Sequence, residues 1–186
     1  CFLVVFGAGS TAFATTTHHI WHFDTQDVSP VPDVVENAPG IPAASILVTP
    51  GPQGAWVDGA WELSGEMDII IPNDPTPRER KVIDVMLTWR PGDLDSFLPK
   101  RPGVLVSADG MTRSEMDVIH DPMGDPWEFS TYKITIWPNP EEEWIAIKGN
   151  IVVDKLEIYT ECIPEPATMG LLGLGSLALL RFRRKS

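Results

Sequence analysis

Residues Trp61 to Ile71 read WELSGEMDIII, and this stretch decides the fold class. Its odd positions carry apolar residues or Gly throughout. Polar residues alternate with them at Glu62, Ser64, Glu66 and Asp68. Because successive side chains of a β-strand point to opposite faces, this alternation predicts a strand with one buried face.

The segment Lys81 to Trp89, KVIDVMLTW, also has apolar residues at alternate positions, although it fits an apolar helix face as well. Its β-branched content and flanking prolines favour a strand. Six further strands are predicted at Ile46 to Thr49, Val104 to Ser107, Met116 to His120, Trp127 to Trp137, Trp144 to Lys148 and Ile151 to Tyr159. Sixteen prolines between Pro30 and Pro140 argue against long helices. The pattern predicts an all-β fold, a β-sandwich most consistent with a jelly roll.

An internal similarity suggests how these strands pair. Trp61 to Asn73 aligns without gaps to Trp127 to Asn139, with six of thirteen residues identical. Both segments end in Pro-Asn, and these two residues favour turns. We therefore expect two related hairpins, in which the first strand pairs with Lys81 to Trp89 and the second pairs with the strand that begins at Trp144. The alternative is a chance similarity between two strands.

The charge of the chain is large and uneven. The chain has 186 residues and a formal net charge of −12, which repels phosphate backbones and excludes nucleic acid as a partner. Four of the 14 basic residues lie in the last six positions, whereas 25 of the 26 acidic residues precede Pro164. An acidic body with a basic tip predicts one folded domain, residues 15–161, between two delivery segments.

The N-terminal segment, residues 1–14, has the features of a signal peptide remnant. Phe2 to Phe6 is an unbroken apolar run, and Ala12 and Ala14 have the small-x-small spacing that signal peptidase cleaves. We expect cleavage after Ala14 and export of the body, and a buried first strand is the alternative. The mature body then contains Cys162 as its single cysteine, so no internal disulfide is expected.

The C-terminal segment, residues 162–186, contains a Pro-Glu-Pro triplet, the apolar stretch Ala167 to Leu180 and a basic cluster. The triplet and the cluster consist of Pro164, Glu165 and Pro166, and of Arg181, Arg183, Arg184 and Lys185. A helix over the apolar stretch spans roughly 21 Å, against about 30 Å of hydrocarbon core. We therefore expect a short transmembrane helix that holds the protein transiently, with its basic end on the cytoplasmic side.

This segment resembles the PEP-CTERM sorting signal of Gram-negative bacteria, and PEPATMGLLGLG after Cys162 resembles the planctomycete versions. The resemblance implies cleavage by an exosortase, a transient stay in the inner membrane, and delivery to the cell surface or an extracellular matrix. The body also resembles uncharacterised exported domains that precede such tails, from its W-x-F start at Trp21 and Phe23 to its closing stretch Gly149 to Leu156. That closing stretch is similar to the last strand of many carbohydrate-binding jelly rolls.

Two groups of residues are candidate metal ligands. His18, His19 and His22 lie close in sequence, but in a strand His19 points away from the other two. Carboxylates suited to Ca²⁺ are Asp93, Asp95, Asp109, Asp121 and Asp125. We expect no metal and no cofactor, with these carboxylates lying in a solvated acidic loop. A structural Ca²⁺ is the alternative.

The body contains no G-x-S-x-G, HExxH, CxxC or phosphate-loop motif, so no catalytic residue is assigned and no enzyme is expected. Exposed Trp side chains can stack on sugars, and Trp56, Trp127 and Trp144 are the candidates. Trp61 and Trp89 are predicted to lie in the core. The main expectation is an exported surface or matrix protein without catalysis. A module that binds extracellular polysaccharide is the alternative, and a glycan hydrolase with paired carboxylates is the second.

Overall fold

The computed structural model of the protein describes residues 14–73 and 79–163, and within these ranges the chain is all-β, as expected. The ten strands in these two ranges are β1 (Thr15–His22), β2 (Val34–Asn37), β3 (Ser45–Thr49), β4 (Ala55–Val57), β5 (Ala60–Pro72), β6 (Arg80–Pro91), β7 (Gly103–Ala108), β8 (Arg113–Gly124), β9 (Trp127–Trp137) and β10 (Glu142–Ile163). In these two ranges no helix has the length and hydropathy needed to span a membrane. The predicted helix over Ala167 to Leu180 lies outside the described residues.

The alternation of apolar residues located most of the strands. Trp61 to Ile71 lies in β5 and Lys81 to Trp89 lies in β6, so the helix alternative for the second segment is wrong. Four other predicted segments fall within β3, β7, β8 and β9. The segments Trp144 to Lys148 and Ile151 to Tyr159 form one continuous strand, β10, because the residues between them continue the pairing with β5.

All ten strands belong to one open sheet with antiparallel pairing, and β10 is its central strand. Residues 142–153 of β10 pair with β5, and residues 143–148 pair with β7 on the other edge. Further along, residues 151–163 pair with β6 and residues 155–162 pair with β1. β3 and β4 extend the sheet beside β5, β2 extends it beside β1, and β9 and β8 extend it beside β6.

The sheet folds over near the middle of β10. A register shift between Val153 and Lys155 moves the inward-facing positions of β10 from odd residues before it to even residues after it. The two ends of the strand then meet, because Asn73 hydrogen-bonds both Glu143, at 2.7 Å, and Cys162, at 3.4 Å. A first layer of β3, β4, β5, β7 and the first half of β10 therefore faces a second layer made of the remaining strands. The fold is sandwich-like, and the jelly-roll topology stays a prediction.

The inner faces of the two layers form one hydrophobic core. Trp61 in the first layer and Trp89 in the second are 2% and 1% exposed, which confirms their predicted burial. Polar contacts also join the layers, since the Tyr132 hydroxyl of β9 donates a hydrogen bond to the carbonyl of Pro102, just before β7, at 2.8 Å. Burial of apolar surface between the layers is the main stabilising contribution to such a fold.

The two predicted hairpins are wrong. β5 pairs with β3, β4 and β10, and β9 pairs with β6 and β8, so neither strand pairs with the one that follows it in sequence. The physical reason is that both connections cross between layers, from β5 to β6 and from β9 to β10. The Pro-Asn pairs at 72–73 and 138–139 therefore end strands without turning the chain back within the sheet.

Candidate functional site

The outer surface of the first layer carries apolar side chains around Trp144. In the sheet register Trp144 lies between Ile70 of β5 and Ser107 of β7, and its side chain is half-buried. The neighbouring row consists of Leu47, Asp68, Ala146 and Leu105. Its two leucines are 50% and 59% exposed. We define the Trp144 face as Leu47, Asp68, Ile70, Leu105, Trp144 and Ala146.

Charged groups border the Trp144 face. The Lys148 Nζ lies 2.5 Å from the Glu66 Oε2 in the next row along the strands. Partial burial, followed by the charge of Glu66, raises the pKa of Asp68 above its ordinary value, and Lys148 opposes the shift. An aromatic ring beside carboxylate acceptors suits a sugar, because a sugar has apolar C–H surfaces and hydroxyl groups that donate hydrogen bonds.

The other two candidate tryptophans have different surroundings. Trp56 of β4 is half-buried against the core, and its Nε1 donates a hydrogen bond to the Phe23 carbonyl at 2.6 Å. Trp127 begins β9 and is also half-buried, with the Arg90 guanidinium 5.7 Å from its ring centroid. Trp56 is therefore held by the core, and Trp127 is partly covered by a cation. Trp127 also lines a pocket with Met123 of β8, which is 61% exposed. Trp144 differs in having two exposed leucines in the adjacent row of the sheet.

The histidines of β1 alternate as predicted, with His18 and His22 on the outer face and His19 pointing inward. The outer two contact carboxylates: His18 Nε2 lies 2.8 Å from Glu157 Oε1, and His22 Nδ1 lies 3.3 Å from Asp33 Oδ2. The three imidazoles are therefore divided between the two faces of the strand and do not form a common site.

His19 belongs to the core. It is buried, and its Nε2 accepts a hydrogen bond from the backbone N–H of Ala44 at 3.1 Å. Burial, followed by the charges of His18 and Lys81, lowers the pKa of His19 to about 4. His19 is therefore neutral at pH 7, and its ring serves as an acceptor between the two layers.

The five candidate Ca²⁺ ligands are spread over several segments. Asp93 and Asp95 lie between β6 and β7, Asp109 follows β7, Asp121 is in β8, and Asp125 connects β8 to β9. Among the residues that the structure describes, no three His, Cys, Asp or Glu side chains are grouped as a metal site requires.

A buried polar cluster lies where the two ends of β10 meet, and the sequence analysis did not identify it. The Lys81 Nζ of β6 contacts Glu143 Oε1 of β10 and lies 2.5 Å from Oδ1 of Asn73, just after β5. The Asn73 Nδ2 donates to Glu143 Oε2 and to the Pro140 carbonyl, both at 2.7 Å. Cys162 Sγ contacts Asn73 Oδ1 at 3.4 Å. We call Lys81, Asn73, Glu143 and Cys162 the Lys81 cluster.

The Lys81 cluster is removed from water. Lys81 and Glu143 are fully buried, Cys162 is 2% exposed and Asn73 is 9% exposed. Burial raises the pKa of Glu143 to about 7, although Lys81 and Asn73 favour its charged form. The alternation signal that places Ile83 and Val85 in the core also places Lys81 there, and this signal could have found the cluster.

Residues 163–185 match the PEP-CTERM protein-sorting motif. No curated protein matches the chain in sequence. The match begins at the last residue of β10, and it supports an exosortase substrate that is exported and sorted through the membrane to the cell surface.

The predicted sorting residues fall inside this match and outside the described residues: Pro164, Glu165, Pro166, Arg181, Arg183, Arg184 and Lys185. Ala12 of the predicted cleavage site also lies outside the described residues. Ala14 is exposed and directly precedes β1, so the predicted mature body starts with the first residue of a strand.

Proposed function

We propose that this chain is a non-catalytic protein of the cell surface or extracellular matrix of a Gram-negative bacterium, of planctomycete type, with a jelly-roll body that an exosortase delivers. The sorting match at residues 163–185 carries the proposal. In this proposal the body crosses the inner membrane, Ala167 to Leu180 holds it there transiently, and the exosortase cuts near Pro164 to Thr168. The four bases after Leu180 keep the tail on the cytoplasmic side.

The test is mass spectrometry of the surface-associated protein from the native host. The expected main species lacks Arg181 to Ser186, and an intact tail in that species would contradict the proposal. Glu165→Ala should block processing while the protein still inserts into the membrane. Glu161→Ala makes the same change four residues earlier, outside the triplet, and should be processed normally.

A second candidate function is binding of extracellular polysaccharide on the Trp144 face. The observation that favours it is a half-buried Trp144 beside exposed leucines and the carboxylate of Asp68. Such a surface offers a sugar ring both a stacking partner and a hydrogen-bond acceptor. Trp61 and Trp89 take no part, because both are buried.

Binding of the full-length chain to a panel of polysaccharides tests this second function. Trp144→Ala should weaken binding at least about tenfold, which corresponds to about 1.4 kcal/mol. Trp137→Ala is the matched control, because Trp137 is a half-buried Trp on the other layer, with Arg113 4.7 Å from its ring. Equal losses in the two variants, or unchanged binding in Trp144→Ala, would contradict a role for this face.

A further inference from the structure

The Lys81 cluster brings a nucleophile, an electrophile and a carboxyl group together inside the core. We propose that Lys81 and Asn73 join covalently, through a self-catalysed amide (isopeptide) bond between the Lys81 Nζ and the Asn73 Cγ, with Glu143 transferring the protons. The inference is independent of the proposed function, because it rests on the packing of three side chains.

The reacting atoms are adjacent. The Lys81 Nζ lies 2.5 Å from the Asn73 Oδ1. Because a C=O bond is about 1.23 Å long, the Nζ is at most about 3.7 Å from the Cγ that it attacks. Reactive arrangements hold the two atoms about 3–3.5 Å apart, so only a small movement is needed.

The amide group of Asn73 has its oxygen and nitrogen fixed by its partners. Its Oδ1 faces two donors, the Lys81 Nζ and the Cys162 Sγ, at 2.5 and 3.4 Å. Its Nδ2 faces two acceptors, Glu143 Oε2 and the Pro140 carbonyl, each at 2.7 Å. The leaving nitrogen therefore points at the Glu143 carboxyl. When the Lys81 Nζ acts as the nucleophile, the Cys162 thiol is the donor that still faces the carbonyl oxygen.

Glu143 contacts both nitrogens, one with each oxygen. Its Oε1 is in contact with the Lys81 Nζ and its Oε2 with the Asn73 Nδ2. In the reaction Oε1 takes a proton from the lysine ammonium, and the neutral amine forms a C–N bond to Cγ. Glu143 then passes a proton to Nδ2 as the old C–N bond breaks, and it takes up the second proton that the attacking nitrogen loses.

The balance requires no other reactant. A lysine ammonium, a primary amide and a carboxylate become a secondary amide, one molecule of ammonia and a neutral carboxyl group. A buried ion pair carries a large desolvation penalty, and the reaction removes both charges from the core. The pKa of Glu143, raised by burial, agrees with a carboxyl group that is neutral in the product.

The bond would join the two layers at one end of the fold. Asn73 directly follows β5 of the first layer, and Lys81 lies in β6 of the second. Lys81 is also the register partner of Cys162, next to the residue where the sorting match begins. The cross-link would therefore fasten the layers beside the strand that leads to the C-terminal tail.

Proteolysis followed by mass spectrometry tests the proposal on the full-length, denatured chain. Trypsin cuts after Arg78 and Arg80, and a protease specific for Glu cuts after Glu66 and Glu79. Only a bond between Asn73 and Lys81 then keeps residues 67–78 attached to residues 81–100. The expected linked species weighs the sum of the two peptides less one ammonia, with no cut after Lys81. Separate peptides, with the cut after Lys81, would overturn the proposal.

Three variants test the roles of the side chains. Lys81→Arg and Asn73→Ala should abolish the linked species. Glu143→Gln should slow its formation by at least about 100-fold, which is the low end for general acid–base catalysis. Lys133→Arg, at an exposed position of β9, is the matched control and should link as the wild type does. Formation at an unchanged rate in Glu143→Gln would remove Glu143 from the mechanism, and a species that has lost water with the link at Glu143 would overturn the Lys81–Asn73 assignment.

Discussion

Two lysine–glutamate pairs lie on the first half of β10, and they occupy opposite faces of the strand. Glu143 points into the core, where it meets Lys81 of β6, and both side chains are fully buried. Lys148 points outward to Glu66 of β5, and these side chains are 46% and 34% exposed. The same two residue types therefore form one pair that is shielded from water and one that water can reach.

The difference shows that the face of the strand on which a charged pair lies, more than the residue types in it, decides how the pair affects stability. In water an ion pair gains little, because solvent screens the charges and the side chains lose freedom. In the core each charge needs its partner, since an isolated buried charge is strongly disfavoured. The outer pair borders the Trp144 face, and the inner pair belongs to the Lys81 cluster, from which water is excluded.

The largest expected effect comes from removing the inner lysine. In the chain without the Lys81–Asn73 bond, Lys81→Met leaves Glu143 buried without a counter-charge and should lower the free energy of unfolding by about 3–5 kcal/mol. In the linked chain the same substitution also removes the cross-link, so the loss should be at least as large. The measurement is equilibrium unfolding in denaturant, followed by tryptophan fluorescence.

The matched control is Lys148→Met, the same substitution on the other pair. Because the Lys148 side chain is solvated, this variant should unfold at nearly the same denaturant concentration as the wild type. Equal losses of stability in the two variants would show that burial does not distinguish the pairs.

Strand alternation explains how far the sequence could predict this fold. The segments in β5 and β6 were found because one apolar residue in two is a direct consequence of a half-buried strand. The pairing of β5 was predicted wrongly because β10 lies between β5 and β6 in the sheet. Neither the residue types nor the spacing within β5 indicate this arrangement. The register shift after Val153, which folds the sheet over, is likewise set by packing between layers.

The candidate sites were predictable to different degrees. Trp144 was identified from its residue type, but its apolar neighbours come from β3, β5 and β7, so the face required the register. Lys81 and Glu143 each have a local alternation that places them inside. Their contact joins residues 62 positions apart in sequence and on different layers, and only the fold could bring it about.

The next effect is a dependence of stability on pH that belongs to the inner pair. The folded protein raises the pKa of Glu143 from 4.5 to about 7, so the folded state binds this proton more tightly than the unfolded state. Its contribution to stability is therefore fully present below pH 4.5 and is lost as the pH rises through 7. A shift of this size corresponds to a change on the order of 3 kcal/mol.

Glu143→Gln isolates this contribution from that of His19. The pKa of His19 is lowered from 6.5 to about 4, so its contribution is present above pH 6.5 and is lost as the pH falls through 4. Between pH 4.5 and pH 6.5 the Glu143 contribution to stability falls as the pH rises, whereas the His19 contribution increases, so the two oppose each other in the wild type. The quantity to measure is the free energy of unfolding of the wild type minus that of Glu143→Gln. This difference should decrease as the pH rises from 4.5 to 7. A constant difference over that interval would contradict the assignment.

The smallest expected effect concerns the outer pair and its response to salt. The hydrogen bond and charge of Glu66 raise the pKa of Lys148, which shows that the pair interacts, but both side chains are in contact with water. Raising the ionic strength from about 0.1 M to about 1 M shortens the screening length from about 10 Å to about 3 Å. Any difference in stability between Lys148→Met and the wild type should therefore disappear at high salt. The difference in stability between Lys81→Met and the wild type should persist, because ions do not enter the core. Denaturant unfolding at the two salt concentrations measures both differences, and a salt-sensitive Lys81→Met would mean that water reaches the inner pair.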